Sequence, residues 1–197
     1  MMYKNSNRVT LIVSIILAVI IVAVIIILIV SAVSDKKEDT DKGLLDAGEA
    51  ALVDINKNSG VRMTARGRIV AEEVHYSYQI TIRPNSRVMN VYQGYLGNVI
   101  KSSVDGNNLN AYTEFSLALA HAGLMQGKES DANIRGVCPN GTLTTFEILE
   151  GDKIIKTLFN TSCSKVVQSF VGKFSDVQKL FTSQIVNFNT LLKGIRL

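Results

Sequence analysis

Four arginines fall within a short part of the chain, three of them at even spacing. Arg62, Arg66 and Arg68 alternate with Val61, Met63, Ala65, Gly67 and Ile69, and Arg83 closes a second alternating stretch over residues 76–82. A period of two puts successive side chains on opposite faces of a strand, so the four guanidiniums share one face of a hairpin, with Arg87 near its next turn. Such a face binds oxyanions: phosphate, uronate or nucleic acid. Glu72 and Glu73 lie close enough to offset part of the charge. Tyr76 and Tyr78 alternate onto the opposite, core-facing side, which removes base stacking, so nucleic acid is not an expected partner. The candidate site is therefore an anion-binding face of Arg62, Arg66, Arg68 and Arg83, suited to an anionic polymer or an envelope protein.

Catalytic chemistry finds little to stand on. The two histidines are His75, at the turn of the hairpin, and His121, between Leu117 and Leu124, where a partly buried structural role is expected. Glu72, Glu73 and His75 crowd one turn, too close in sequence for a metal site, and no phosphate loop, nucleophile elbow or zinc-protease helix occurs. No catalytic residue, metal or cofactor is expected, and the reading is of a non-catalytic protein.

The two cysteines are more informative. Cys138 and Cys163 bracket residues 142–159, which read as two strands around Glu150-Gly151-Asp152. Their midpoint falls between Glu150 and Gly151, in the turn, so an antiparallel hairpin paired to its ends brings the thiols face to face within disulfide reach. A lone pair this far apart fits no zinc spacing. A disulfide places the domain in an oxidising compartment.

These residues need elements to hold them. Helical spacing of Leu44, Leu45, Ala51, Leu52 and Ile55 predicts an amphipathic helix over residues 41–56. Two alternating stretches then form a hairpin pairing Ile69 with Tyr76, Gly67 with Tyr78 and Ala65 with Ile80, and residues 88–92 return as a third strand. Tyr95, Leu96, Val99 and Ile100 suggest a short helix, and residues 104–108 a loop. Asn110 caps a helix running to Gln126, with Gly127 as its stop. Residues 131–161 supply three more strands, and a last helix opens at Ser175 or Asp176. The expected fold is α+β, two three-stranded antiparallel meanders packed by about four helices and preceded by a transmembrane helix.

That last element comes from residues 11–33, of which 18 are Ile, Leu or Val and none is charged. As a helix the run reaches roughly 35 Å against a hydrocarbon layer of about 30 Å, and its aliphatic content favours insertion by on the order of 8 kcal/mol. It is longer than the apolar core of a cleaved signal. The expected organisation is a cytoplasmic tail (1–10), a membrane anchor (11–33), a charged linker (34–41) and an extracytoplasmic domain (42–197). Lysines and arginines flank both ends of the run, so the orientation, amino terminus inside and domain outside, rests on the disulfide. Of 21 basic and 17 acidic residues, Lys4 and Arg8 precede the run, leaving the domain close to neutral. The arithmetic excludes a polytopic transporter, a disordered tail and a disulfide-dense miniprotein.

The stretches Arg135-Gly136-Val137-Cys138-Pro139-Asn140-Gly141, Phe146-Glu147-Ile148-Leu149 and Thr161-Ser162-Cys163, with the closing Gly194-Ile195-Arg196-Leu197, resemble single-pass envelope proteins of reduced-genome, candidate-phyla-type bacteria. The resemblance implies surface exposure and carries no activity with it. The expected function is a membrane-anchored surface module that binds a ligand or supports envelope structure. An alternative is a pilin-like assembly subunit, because type IV pilins look similar in outline. Against it, no glycine and no acid precedes Asp35, where pilins carry a processing glycine followed by a glutamate.

Overall fold

The chain divides into two compact units, residues 1–45 and 46–197. A computed structural model describes residues 52, 54–95, 97–128 and 133–197, all within the second unit. The expected membrane span (11–33), the linker (34–41) and most of the helix expected over 41–56 lie outside the described residues. Among the described residues no helix is long and apolar enough to cross a membrane, so a transmembrane helix is not part of the architecture seen.

Six strands make one sheet: β1 (Ser59–Arg66), β2 (Tyr76–Arg83), β3 (Ser86–Gln93), β4 (Asn98–Gly106), β5 (Leu143–Glu150) and β6 (Lys153–Thr161). The order across it is β4-β3-β2-β1-β5-β6, and every neighbouring pair is antiparallel. The expected antiparallel sheet of two three-stranded meanders is corrected to a four-stranded meander, β1–β4, joined to a two-stranded hairpin, β5–β6. The two halves fuse because β1 pairs on both edges, with β2 on one side and β5 on the other. Among the described residues the helices are α1 (Leu109–His121), α2 (Phe174–Ser183) and the single turn α3 (Phe188–Leu191), fewer than the four expected.

Alternation along the strands sorts the two faces. Val61, Met63 and Ala65 of β1, Tyr78, Ile80 and Ile82 of β2, Met89 and Val91 of β3, Phe146 and Ile148 of β5 and Leu158 of β6 all point to one side and are buried. Tyr112, Phe115 and Leu119 of α1 and Val177 and Phe181 of α2 join them in a single core. Phe146 is its centre, with ring centroids 4.9 Å from Phe170, 6.1 Å from Phe174 and 6.2 Å from Phe181. On the opposite face, β1 and β2 present polar side chains.

Several local expectations are corrected. Residues 98–106 are a strand where a short helix and a loop were expected. Gly94 and Gly97, at φ of 75° and 76°, form the turn that feeds it, and a left-handed backbone suits glycine and ends helical continuity. The β1–β2 pairing sits two residues from the expected register, with Ala65 opposite Tyr78 and Met63 opposite Ile80. The connector is not a tight turn but nine residues containing a 3-10 turn, Glu72–Val74. A shift of two preserves the faces, so the core set survives. Helix α1 is capped by Asn108, whose Oδ1 accepts from the Ala111 amide at 3.0 Å, and it ends at His121 ahead of Gly123. The third strand expected within 131–161 is absent among the described residues, where 133–142 is irregular.

The closing helix is also broken in two, and the break is filled from the sheet. Arg87 Nη1 donates to the Gln184 carbonyl just past α2 at 3.2 Å, and Lys101 Nζ donates to the Leu191 and Lys193 carbonyls around the end of α3 at 2.9 and 3.0 Å. Cations at exposed carbonyls of a helix C-terminus satisfy groups the helix cannot.

Phe146→Ala is expected to destabilise the domain by about 3–5 kcal/mol, and Val104→Ala on the exposed β4 edge by less than about 0.5 kcal/mol, in urea unfolding. Comparable losses in the two variants would contradict this core. Burial pushes the Tyr112 hydroxyl up to about 12 from an ordinary value near 10. The folded state keeps that proton at pH values where the unfolded chain has lost it, so stability declines as pH rises from 10 toward 12. In Tyr112→Phe that decline is shallower, measured by chemical unfolding across the window.

Candidate functional site

The four arginines do not form one cluster. Arg62, Arg66 and Arg83 do share the polar face of the sheet, but Arg66 pairs with Ser77, six residues along β2 from Arg83, so these two sit roughly 20 Å apart. Arg68 lies past the end of β1, exposed, in a separate cleft of about 200 Å³ with Gly67, Tyr76 and Arg196. The expected alternation through Ile69 fails because the strand stops at Arg66.

Partners divide them further. Arg62 Nε lies 2.5 Å from Glu147 Oε2 on the neighbouring β5, a charge-assisted pair across two strands. Arg83 Nη2 donates to the Gly151 carbonyl at 2.7 Å and lies 3.6 Å from Asp152, clamping the β5–β6 turn against the sheet. Among the described residues Arg66 has no carboxylate partner. Its Nη2 donates to the Val137 carbonyl at 2.9 Å, while its Nε is buried with no acceptor among the described residues. Burial lowers its pKa from the usual guanidinium value, and Tyr95 offsets part of that shift.

Arg66 opens into a cleft of about 560 Å³ at its end of the polar face. Thr64 and Ser77 place hydroxyls there, Arg135 adds a second guanidinium, and His75 and Tyr95 form a wall. Their rings stack with centroids 4.1 Å apart and planes 11° from parallel. His75 is 2% exposed, and since its Nδ1 lies 3.0 Å from the Arg68 carbonyl, the proton sits on Nδ1. The Tyr95 hydroxyl donates to the Val70 carbonyl at 2.6 Å and accepts from the Val70 amide at 2.8 Å. Both rings are thus fixed at two points.

The disulfide builds the remaining wall. Cys138 and Cys163 are bonded, their Cα atoms 5.5 Å apart. The β5–β6 register does not put them opposite each other as expected: Glu150 faces Lys153, which centres the turn on Gly151-Asp152, and a bulge between Ile148 and Leu149 adds a further offset that leaves Leu143 facing Thr161. The bridge closes instead through a local turn in which Cys138 takes a left-handed φ of 58°. A Cβ at Gly141 would lie 2.7 Å from Cys138 Sγ and even closer to Ser162 Oγ, so only glycine fits beneath the bridge. Held there, the segment accepts from β1 and the residues that follow it: Pro139 O takes the Ile69 amide at 2.7 Å, and Val137 O takes Arg66.

His121 is exposed rather than partly buried, in a groove between α1 and α2. Glu72 and Glu73 are exposed, and among the described residues no group of three metal-binding side chains occurs. Sequence reasoning missed Tyr95, which follows the left-handed Gly94, and Arg135, whose relation to Arg66 depends on the disulfide. No protein-family model matches the chain, and no curated protein does.

Replacing both cysteines by serine is expected to cost about 3.5 kcal/mol, the loop-closure contribution of a bridge spanning 25 residues. Amide exchange at Ile69 should accelerate together with that loss. Retained protection at Ile69 would show that the 133–142 segment docks without the bridge.

Proposed function

We propose that the chain is an extracytoplasmic module, held at a membrane through the apolar run of residues 11–33, that binds a ligand rather than transforming one. The observation carrying this reading is the Cys138–Cys163 disulfide, because such bridges persist in oxidising compartments and are rare in the reducing cytosol. The uncharged aliphatic run supports the membrane as the point of attachment. Binding is supported by the cleft itself, where a guanidinium, hydroxyls and a fixed aromatic wall converge. Its histidine, His75, has its Nδ1 proton committed to the Arg68 carbonyl and its ring stacked on Tyr95, which supports a structural part in the wall. The resemblance to bacterial envelope proteins points the same way.

Alkylation of thiols in isolated host membranes, before and after reduction, tests the placement. The expected result is a full-length chain that stays with the membrane after alkaline washing and whose two cysteines react only after reduction. Free thiols in the untreated sample, or recovery in the soluble fraction, would overturn it.

A further inference from the structure

We propose that the Arg66 cleft is a binding site for an acidic saccharide, taking the carboxylate or phosphate of one sugar unit on Arg66 and the sugar ring against Tyr95. The inference deepens the reading of the chain as a binding module and rests on it.

The first argument is charge. Of the three guanidiniums on the polar face, Arg62 is neutralised by Glu147, and Arg83 is held by Gly151 O beside Asp152. Arg66 is left with one backbone carbonyl, and no carboxylate lines its cleft among the described residues. A desolvated cation without a counter-ion is costly, and an oxyanion in the cleft supplies the missing charge. Arg135 stands on the same cleft as a second donor.

The second argument is the wall. A bare anion needs only donors, yet Tyr95 keeps its ring half-exposed, at 49%, while its hydroxyl and one ring face are fixed by Val70 and His75. A fixed aromatic ring beside hydroxyls suits a ligand with an apolar ring face and hydroxyls of its own.

The third argument separates a saccharide from a nucleic acid. Away from Arg66 the face turns neutral: Thr145, Thr64, Gln79, Asn90 and Ser102 stand opposite one another across five strands, a span of about 19 Å. Gln79 Nε2 donates to Thr64 Oγ1 at 3.0 Å, and Ser102 Oγ to Asn90 Oδ1 at 2.7 Å. A polyphosphate backbone needs a run of cations along its path. This path offers hydroxyls and amides, which match a polymer rich in hydroxyl groups with charge on only some of its units.

Titration calorimetry on the oxidised full chain in a polyoxyethylene detergent, which carries no sugar, tests this with glucuronate, glucose 6-phosphate, glucose, acetate, inorganic phosphate and adenosine monophosphate. The two acidic sugars distinguish carboxylate from phosphate as the preferred anion, and binding of either supports the site. The expected result is affinity at least about tenfold above that for glucose and for the bare anions, lost in Arg66→Gln and kept in Arg62→Gln. Should Arg66→Gln melt early, Ser77→Ala provides a milder loss of a lining hydroxyl and is expected to weaken the acidic sugar without affecting acetate. No binding of either acidic sugar, binding indifferent to Arg66, bare anions as tight as the sugars, or a preference for the nucleotide would each overturn the proposal. These measurements are made in solution, so their failure is distinct from a failure of the membrane placement, which the thiol assay reads.

Discussion

Strand β1 carries the constraint on which the other features depend. It pairs with β2 along one edge and with β5 along the other, and so it is the strand that joins the β2–β4 half of the sheet to the β5–β6 half. Its alternation must therefore satisfy two registers at once. Val61, Met63 and Ala65 bury against Ile82, Ile80 and Tyr78 on one side and against Ile148, Phe146 and Thr144 on the other. A slip by one residue on either edge would turn this set to the polar face and expose the core, so the pairing is strongly specified. The same alternation sends Arg62, Thr64 and Arg66 to the opposite face, which makes the candidate site a by-product of the core pattern.

The disulfide acts on that by-product. Residues 133–142 contribute no strand, and among the described residues their ties to the sheet include Ile69 N to Pro139 O and Arg66 Nη2 to Val137 O. Both ties lie within two residues of Cys138, whose bond to Cys163 fixes the segment to the end of β6. Closing this loop reduces the entropy of the unfolded chain and also chooses which surface the segment covers. The covered surface is the end of β1, which explains how Arg66 comes to be half-buried although it sits at a strand terminus.

What was legible in the sequence follows from the range of the interactions. The period-two pattern of residues 61–66 and 76–82 gave the correct faces, because alternation is local and survives a register error of two. It could not give the register itself, since that depends on the nine-residue connector, where Glu72–Val74 leave the strand pattern for a 3-10 turn. The short helix expected at residues 95–100 failed for a related reason. Helical spacing of Tyr95, Val99 and Ile100 is also compatible with a turn and a bulged strand, and Gly94 and Gly97 decide in favour of the latter. The cysteine pairing was correct although the register behind it was not: the left-handed turn at Cys138 absorbs the offset between Cys163 and its expected strand partner. The arginine face was half legible. Shared orientation can be read from alternation, whereas neutralisation by Glu147 and Asp152 requires knowing that β5 lies beside β1.

Neutralisation is what turns four similar side chains into different devices. Arg62 bridges two strands, Arg83 clamps a turn, and Arg68 stands exposed where water screens it. For each of these the charge is either paired or hydrated, and the energy of keeping it is small. Arg66 differs in being partly desolvated with no acid beside it among the described residues, where its Nε is buried and unmatched. A structural role in holding Val137 would be met as well by a neutral donor such as glutamine, without the cost of burying a charge. A guanidinium at that position, facing a cleft bounded by hydroxyls and a fixed ring, is what the proposed site requires, with the missing charge supplied from outside the chain.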